Sequence, residues 1–116
     1  MEIGVDIEEV RRFNKWVANE KYLCKIFSKE EIRYSTDRRM AAQHLAVRFA
    51  AKEAVWKMLN SKTSELLIAD IAIVNEENGK PQVYIKNKKQ SNIKISLSHT
   101  KKYAVAVAIS DGDICV

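Results

Sequence analysis

Two acids and one imidazole stand in settings that ordinary packing does not require. Asp6 lies inside the alternating run "MEIGVDIEEV", among branched strand formers. Acids are depleted in strands unless a solvated or functional face tolerates them. Glu53 interrupts the apolar stretch "VRFAAKEAVWKML". At about 100° per residue, Ala46, Phe49, Ala50, Trp56 and Lys57 share its sector of a helix. Its charge therefore either pairs with Lys57 one turn on or serves chemistry, since an unpaired buried charge costs several kcal/mol. One carboxylate from a strand and one from a helix are enough for Mg²⁺, which takes one or two protein carboxylates and completes its shell with water and phosphate oxygens. His99 ends "NIKISLSH", flanked by Ser98 and Thr100, with Lys101 and Lys102 next. It is either a strand-end surface residue or part of an imidazole, hydroxyl and cation group suited to holding phosphates.

The elements that must position these residues follow from periodicity. Ile3, Val5 and Ile7 alternate with Gly4, Asp6 and Glu8, the pattern of a strand with one buried face. Asp6 then lies opposite the branched residues. Val10, Phe13 and Val17 recur at helical spacing. In "FSKEEIRY", Ser28 and Glu31 make a capping box that starts a new helix. Residues 40–60 carry the longest helical pattern. Beyond it, "LLIADIAIV" and "PQVYIK" are branched runs separated by "NEENGK", where Asn78-Gly79 signals a hairpin. "NIKISLSH" and "YAVAVAIS" make two further strands joined at residues 100–102. Strand, helices and then antiparallel strands define an α+β fold in one domain, residues 1–116.

Composition narrows the function classes. Apolar residues make up 47% and charged residues 30%, an ordinary globular balance. Lys and Arg outnumber Asp and Glu by 20 to 15, a net charge of +5 that favours an anionic partner without choosing one. Cys24 and Cys115 form no metal-binding spacing, and no run approaches a membrane span, so the expected setting is the cytoplasm with no membrane. A nucleic-acid module is disfavoured because Trp16, Phe49, Trp56 and Tyr103 fall on core-like stripes, not among basic strand residues.

Three blocks in order, "IGVDIEEVRRF", "RFAAKEAVWKML" and "ISLSHTKKYAVAVAI", resemble the signature blocks of the holo-acyl-carrier-protein synthases, small bacterial 4'-phosphopantetheinyl transferases. "NGKPQV" is also similar to that family's segment, and the likeness covers residues 3 to 109. It implies a long helix packed on a mainly antiparallel sheet. It also implies Mg²⁺-dependent transfer of the 4'-phosphopantetheine arm of coenzyme A to a serine of apo acyl carrier protein, releasing adenosine 3',5'-bisphosphate. On this likeness Asp6 and Glu53 are metal ligands, and Lys57 lies near the pyrophosphate. Arg48, His99 and Thr100 contact coenzyme A, and Gly79, Lys80 and Pro81 line its pocket. Glu53, Lys57 and His99 form the catalytic group, and the serine proton leaves either to a carboxylate such as Glu53 or through a metal-bound water.

The carrier is acidic, and Arg11, Arg12, Lys15 and Lys21 are its expected docking residues, with Trp16 and Tyr22 beside them. Arg12 matches the family's carrier-contact arginine best. The likeness further implies a homotrimer with active sites between subunits, one subunit supplying Asp6, Glu53 and His99. The runs 66–74 and 103–109 are the interface candidates, although a sheet buried on both faces has the same pattern. The short, single-repeat length points to the fatty-acid carrier and lipid biosynthesis. Two departures stand out: Glu2 replaces a common glycine, and "NSKTSELL" replaces a glycine-rich turn, so contacts of that turn do not transfer to Asn60 or Ser61.

Overall fold

A computed structural model describes residues 1–37, 39–59 and 65–112. Asn60, Ser61 and Cys115 lie outside the described residues. The chain opens with strand β1 (Glu2–Glu9) and a 3-10 segment (Val10–Trp16). Helices α1 (Glu20–Leu23), α2 (Lys29–Thr36) and α3 (Ala41–Leu59) follow. A 3-10 turn (Ile68–Asp70) leads into β2 (Ile71–Asn75), β3 (Pro81–Ile85), β4 (Lys88–Lys89), β5 (Ile93–His99) and β6 (Tyr103–Ser110). The strands form two antiparallel sheets, β1-β6-β5 and β2-β3-β4. The expected α+β architecture holds, with two sheets against the long helix where one was anticipated.

Local chemistry accounts for the boundaries. Ser28 Oγ accepts from Glu31 N and Glu31 Oε1 accepts from Ser28 N, so the capping box starts α2 where the sequence placed it. Val10 and Phe13 are the buried residues of their segment, a 3-10 helix that ends at Trp16 before Val17. The β2–β3 connection closes at Gly79, whose φ of 84° suits a residue without Cβ. Ile68–Asp70 of "LLIADIAIV" make the 3-10 turn, so the strand begins at Ile71.

The central helix α3 is buried on almost every side. Ala50, Ala51, Ala54, Val55, Met58 and Leu59 meet Ile71, Ile73, Val83 and Ile85 from one sheet and Ala106 and Ala108 from the other. Small residues set the approach on the β1 side. A Cβ on Gly4 would lie 2.0 Å from the Ala54 carbonyl oxygen, and Ala104, Ala106 and Ala108 are fully buried beside it.

This close approach reverses the expected orientation of β1. Gly4, Asp6 and Glu8 face α3, while Ile3, Val5 and Ile7 remain 68%, 57% and 60% exposed. Alternation sorts two faces without saying which is covered, and here only the glycine-bearing face admits the helix backbone. Tyr103, expected on a core stripe, is also exposed, because it pairs with Glu9 on that outer face. Of the two candidate interface runs, Ile71 and Ile73 of the first are core residues, whereas β6 carries half-exposed Val105, Val107 and Ile109.

Lys52 and Glu31 are both 0% exposed, and Lys52 Nζ lies 2.8 Å from Glu31 Oε1. Lys52 Nζ also donates to the Ile71 carbonyl, and Ile73 N donates to Glu31 Oε2 at 2.9 Å. Burial pushes the ammonium below its ordinary range, and Glu31 pulls it back. The network ties α2, α3 and β2 together. Lys52→Ala leaves Glu31 buried without its cation and should cost about 3–5 kcal/mol in urea denaturation. A loss below 1 kcal/mol would show that the pair does not hold these elements.

Candidate active site

The inner face of β1 and one side of α3 form an acidic lobe. Asp6 is buried, and its Oδ1 accepts from Lys57 Nζ at 2.8 Å. Lys57 Nζ reaches the Val5 carbonyl as well, at 3.3 Å. Lys57 thus pairs with the strand acid, although helical spacing alone favours Glu53. The bond to Asp6 raises the Lys57 ammonium above its usual range. Burial, and then the Asp6 charge, raise the Glu53 carboxyl, while Lys57 and Arg12 pull it down. Three acids share this lobe, because Glu8 points inward beside Asp6.

The sequence pattern does not mark Glu8, although its position two residues from Asp6 puts it on the same strand face. Burial is the largest cause that pushes its carboxyl up to about 8, followed by a hydrogen bond and the charge of Asp6. Arg12 opposes this, its Nη1 lying 2.5 Å from Glu8 Oε1. Asp6 Oδ2 is buried and has no hydrogen-bond partner. Among the described residues no three His, Cys, Asp or Glu side chains converge closely enough to hold a metal ion by themselves.

A second lobe opens on the other side of α3. Arg48 and Lys57 are nine positions apart, about half a turn out of phase, so they leave the helix in opposite directions. Arg48 is buried, donates to Asn75 Oδ1 and lies 4.4 Å from the centre of the Tyr34 ring. Asn75 Nδ2 in turn donates to the Gly79 carbonyl at 2.9 Å, holding the hairpin loop to the helix. A cavity of about 400 Å³ there is lined by Arg48, Gly79, Pro81 and His99, with Tyr34, His44 and Leu97 among its other walls. A neighbouring cavity of about 560 Å³ shares Tyr34 and Asn75.

The structure therefore brings together Asp6, Glu53 and Lys57 in one lobe and Arg48, Gly79, Pro81 and His99 in the other. Lys80 is exposed on the loop and does not line the cavity. Thr100 also stands outside it, and its Oγ1 accepts from the Lys102 and Tyr103 amides to build the β5–β6 turn. His99 and Glu8 both pair with Ala104, from opposite edges of the sheet. Two strand spacings, roughly 10 Å, separate their backbones. Tyr34, His44 and Asn75 were missed because nothing local marks them; His44 lies one helical turn before Arg48.

The basic side chains anticipated for docking are on the surface near β1. Arg11 pairs with Glu9 at 2.8 Å, and Lys15 lies 4.8 Å from the Trp16 ring centre. Trp16 and Tyr22 stack at 3.7 Å, and Lys21 is exposed. None of the described helices is long and apolar enough to cross a membrane.

A strand aspartate thus faces a helix glutamate, with a cationic pocket across the helix. Residues 2–108 match the model of the 4'-phosphopantetheinyl transferase superfamily, and the chain belongs to that family. Its relatives are more specific. The holo-(acyl-carrier-protein) synthase of Thermoanaerobacter sp. (strain X514) is 40% identical over 119 residues, spanning 95% of this chain and 86% of the relative. That of Thermodesulfovibrio yellowstonii is 44% identical over 111 residues, spanning 92% and 95%. Among solved structures, the Bacillus anthracis holo-(acyl-carrier-protein) synthase in complex with CoA (3',5'-ADP) superposes with a TM-score of 0.80 at 29% identity, covering 97% of this chain and 96% of that one. The Helicobacter pylori enzyme in complex with coenzyme A gives 0.78 at 29% identity, covering 94% and 99%.

Because the Lys57 charge holds the Glu53 carboxyl down, Lys57→Met should move its titration to higher pH. Carbon-13 NMR of the glutamate carboxyls would follow this, and an unmoved Glu53 midpoint would mean that the two charges do not interact.

Proposed function

We propose that this chain is a holo-acyl-carrier-protein synthase, moving the 4'-phosphopantetheine moiety of coenzyme A to a serine of apo acyl carrier protein in the cytoplasm. The observation that carries the reading is the facing of Asp6 and Glu53 across the β1–α3 contact. The buried Asp6 Oδ2 without a donor is the kind of atom a hard cation takes. Two carboxylates with water and phosphate oxygens fit Mg²⁺, and Asp6 and Glu53 would hold it. Bound there, Mg²⁺ supplies charge neutralisation to the pyrophosphate as the leaving group departs.

The chain's own residues do the rest. Lys57, oriented by Asp6 and the Val5 carbonyl, has an N–H left for a pyrophosphate oxygen. Arg48 and His99, with Gly79 and Pro81, form the walls that receive the nucleotide end of coenzyme A, with Lys80 and Thr100 at the rim. The serine oxygen bonds to the β-phosphorus while that phosphorus releases the oxygen of adenosine 3',5'-bisphosphate. Glu53 is the candidate acceptor of the serine proton. Arg11, Arg12, Lys15 and Lys21 steer the acidic carrier toward this lobe.

Two lobes on opposite sides of one helix support intersubunit sites, in which the acidic lobe of one copy meets the pocket of the next. In that arrangement His99 belongs with Arg48, not with Asp6 and Glu53 as the family likeness implied. The exposed Ile3, Val5 and Ile7, beside Val105, Val107 and Ile109, give a homotrimer its interface. Wild-type protein should run by light scattering at roughly three times the 13.3 kDa chain. Val5→Lys should reduce it to one and abolish turnover; an active monomer would refute shared sites.

Incubation with coenzyme A, Mg²⁺ and apo carrier should add the phosphopantetheine mass to the carrier in mass spectrometry. No added mass with any carrier would end the proposal. Glu53→Gln should lower kcat at least about 100-fold with circular dichroism unchanged, the size of a general-base loss. Near wild-type turnover would remove Glu53 from the reaction.

A further inference from the structure

Glu8 takes no part in the reaction assigned to Asp6, Glu53 and Lys57, yet it is buried, acidic and central. On the inner face of β1 it is repelled by Asp6 and Glu53, and its counter-cation is Arg12. The pair joins two different environments: the Glu8 side chain is 7% exposed and the Arg12 side chain 61%. Arg11, by contrast, pairs with Glu9, and both of those side chains are largely in solvent. The start of the 3-10 segment is itself anchored, since Val10 N donates to the Lys102 carbonyl at 2.8 Å.

A guanidinium carries five N–H donors in a rigid fork. Bonding to Glu8 through Nη1 takes one of them, which leaves roughly four donors on a side chain open to water. An exposed arginine ordinarily loses rotamer freedom when it meets a partner, at about 0.5–1.5 kcal/mol. Arg12 has already lost much of it, because a buried and immobile acid grips it.

We infer that Glu8 is a positioning residue for carrier recognition: its buried carboxyl group presets the Arg12 guanidinium to meet an acidic side chain of the carrier. This rests on the reading of Arg12 as a carrier contact. It also explains why a third acid is kept in a lobe where two suffice for the metal. Its partner is the carboxylate of an acidic protein surface, not the phosphates of coenzyme A, which belong to the pocket across α3.

Steady-state kinetics of Glu8→Gln, Glu8→Ala, Arg12→Ala and the Glu8→Ala/Arg12→Ala pair separate the possibilities. Glu8→Ala should raise KM for apo carrier about tenfold, leave KM for coenzyme A within twofold, and add nothing in the Arg12→Ala background. Glu8→Gln, which removes one of three mutually repelling acids, should show a smaller rise in carrier KM with no drop in Tm. Additive effects of the two substitutions would overturn the inference. So would weakened Mg²⁺ binding in calorimetry without carrier while carrier KM stays unchanged, because Glu8 would then serve the metal. An Arg12→Ala variant with wild-type carrier KM would remove the docking reading itself, while transfer activity would still stand.

Discussion

Burying the Lys52–Glu31 pair is the constraint on which the other contacts depend. Removing two charges from water costs several kcal/mol each, and that cost is recovered only in one geometry. Glu31 must cap α2 through Ser28, accept Lys52 from α3 and accept the Ile73 amide from β2. A helix register or strand pairing that misses any of these leaves a charge stranded in the core. Packings of the alanine-rich helix that miss this geometry are thereby disfavoured.

With α3 locked, both lobes are laid out along it. Arg48 leaves the helix toward the β2–β3 loop and Lys57 toward β1, so one element carries the pocket and the acidic lobe at a fixed offset. The electrostatics divide in the same way. Three acids crowd the β1 side, compensated by Lys57 and Arg12, while the other side presents a buried guanidinium and an imidazole. An anionic, phosphate-bearing substrate suits the second lobe directly and the first only with a cation present.

Much of this is legible in the sequence. The α2 cap, the extent of α3 and the hairpin at Asn78-Gly79 follow from short-range rules, and each lies where those rules put it. Asp6 and Glu53 stood out because each violates its local pattern. Which face of β1 is covered was not legible, since hydrophobic alternation assigns branched residues inward and cannot register that only glycine admits the Ala54 carbonyl. Lys52 was equally opaque: its partner lies 21 residues away in another helix, and a lysine on a helix is ordinarily solvated. Glu8 was hidden by being one more acid at a strand end.

Gly4 has a consequence beyond packing. It lies two residues before Asp6 on the same strand face, against the turn of α3 that carries Glu53. The gap between strand and helix is also the gap between those two carboxylates. A single methyl at position 4 would act as a shim, prising the two acids apart without touching either. The absence of a side chain there is thus a spacer of zero thickness, and it gauges the width of the acidic lobe.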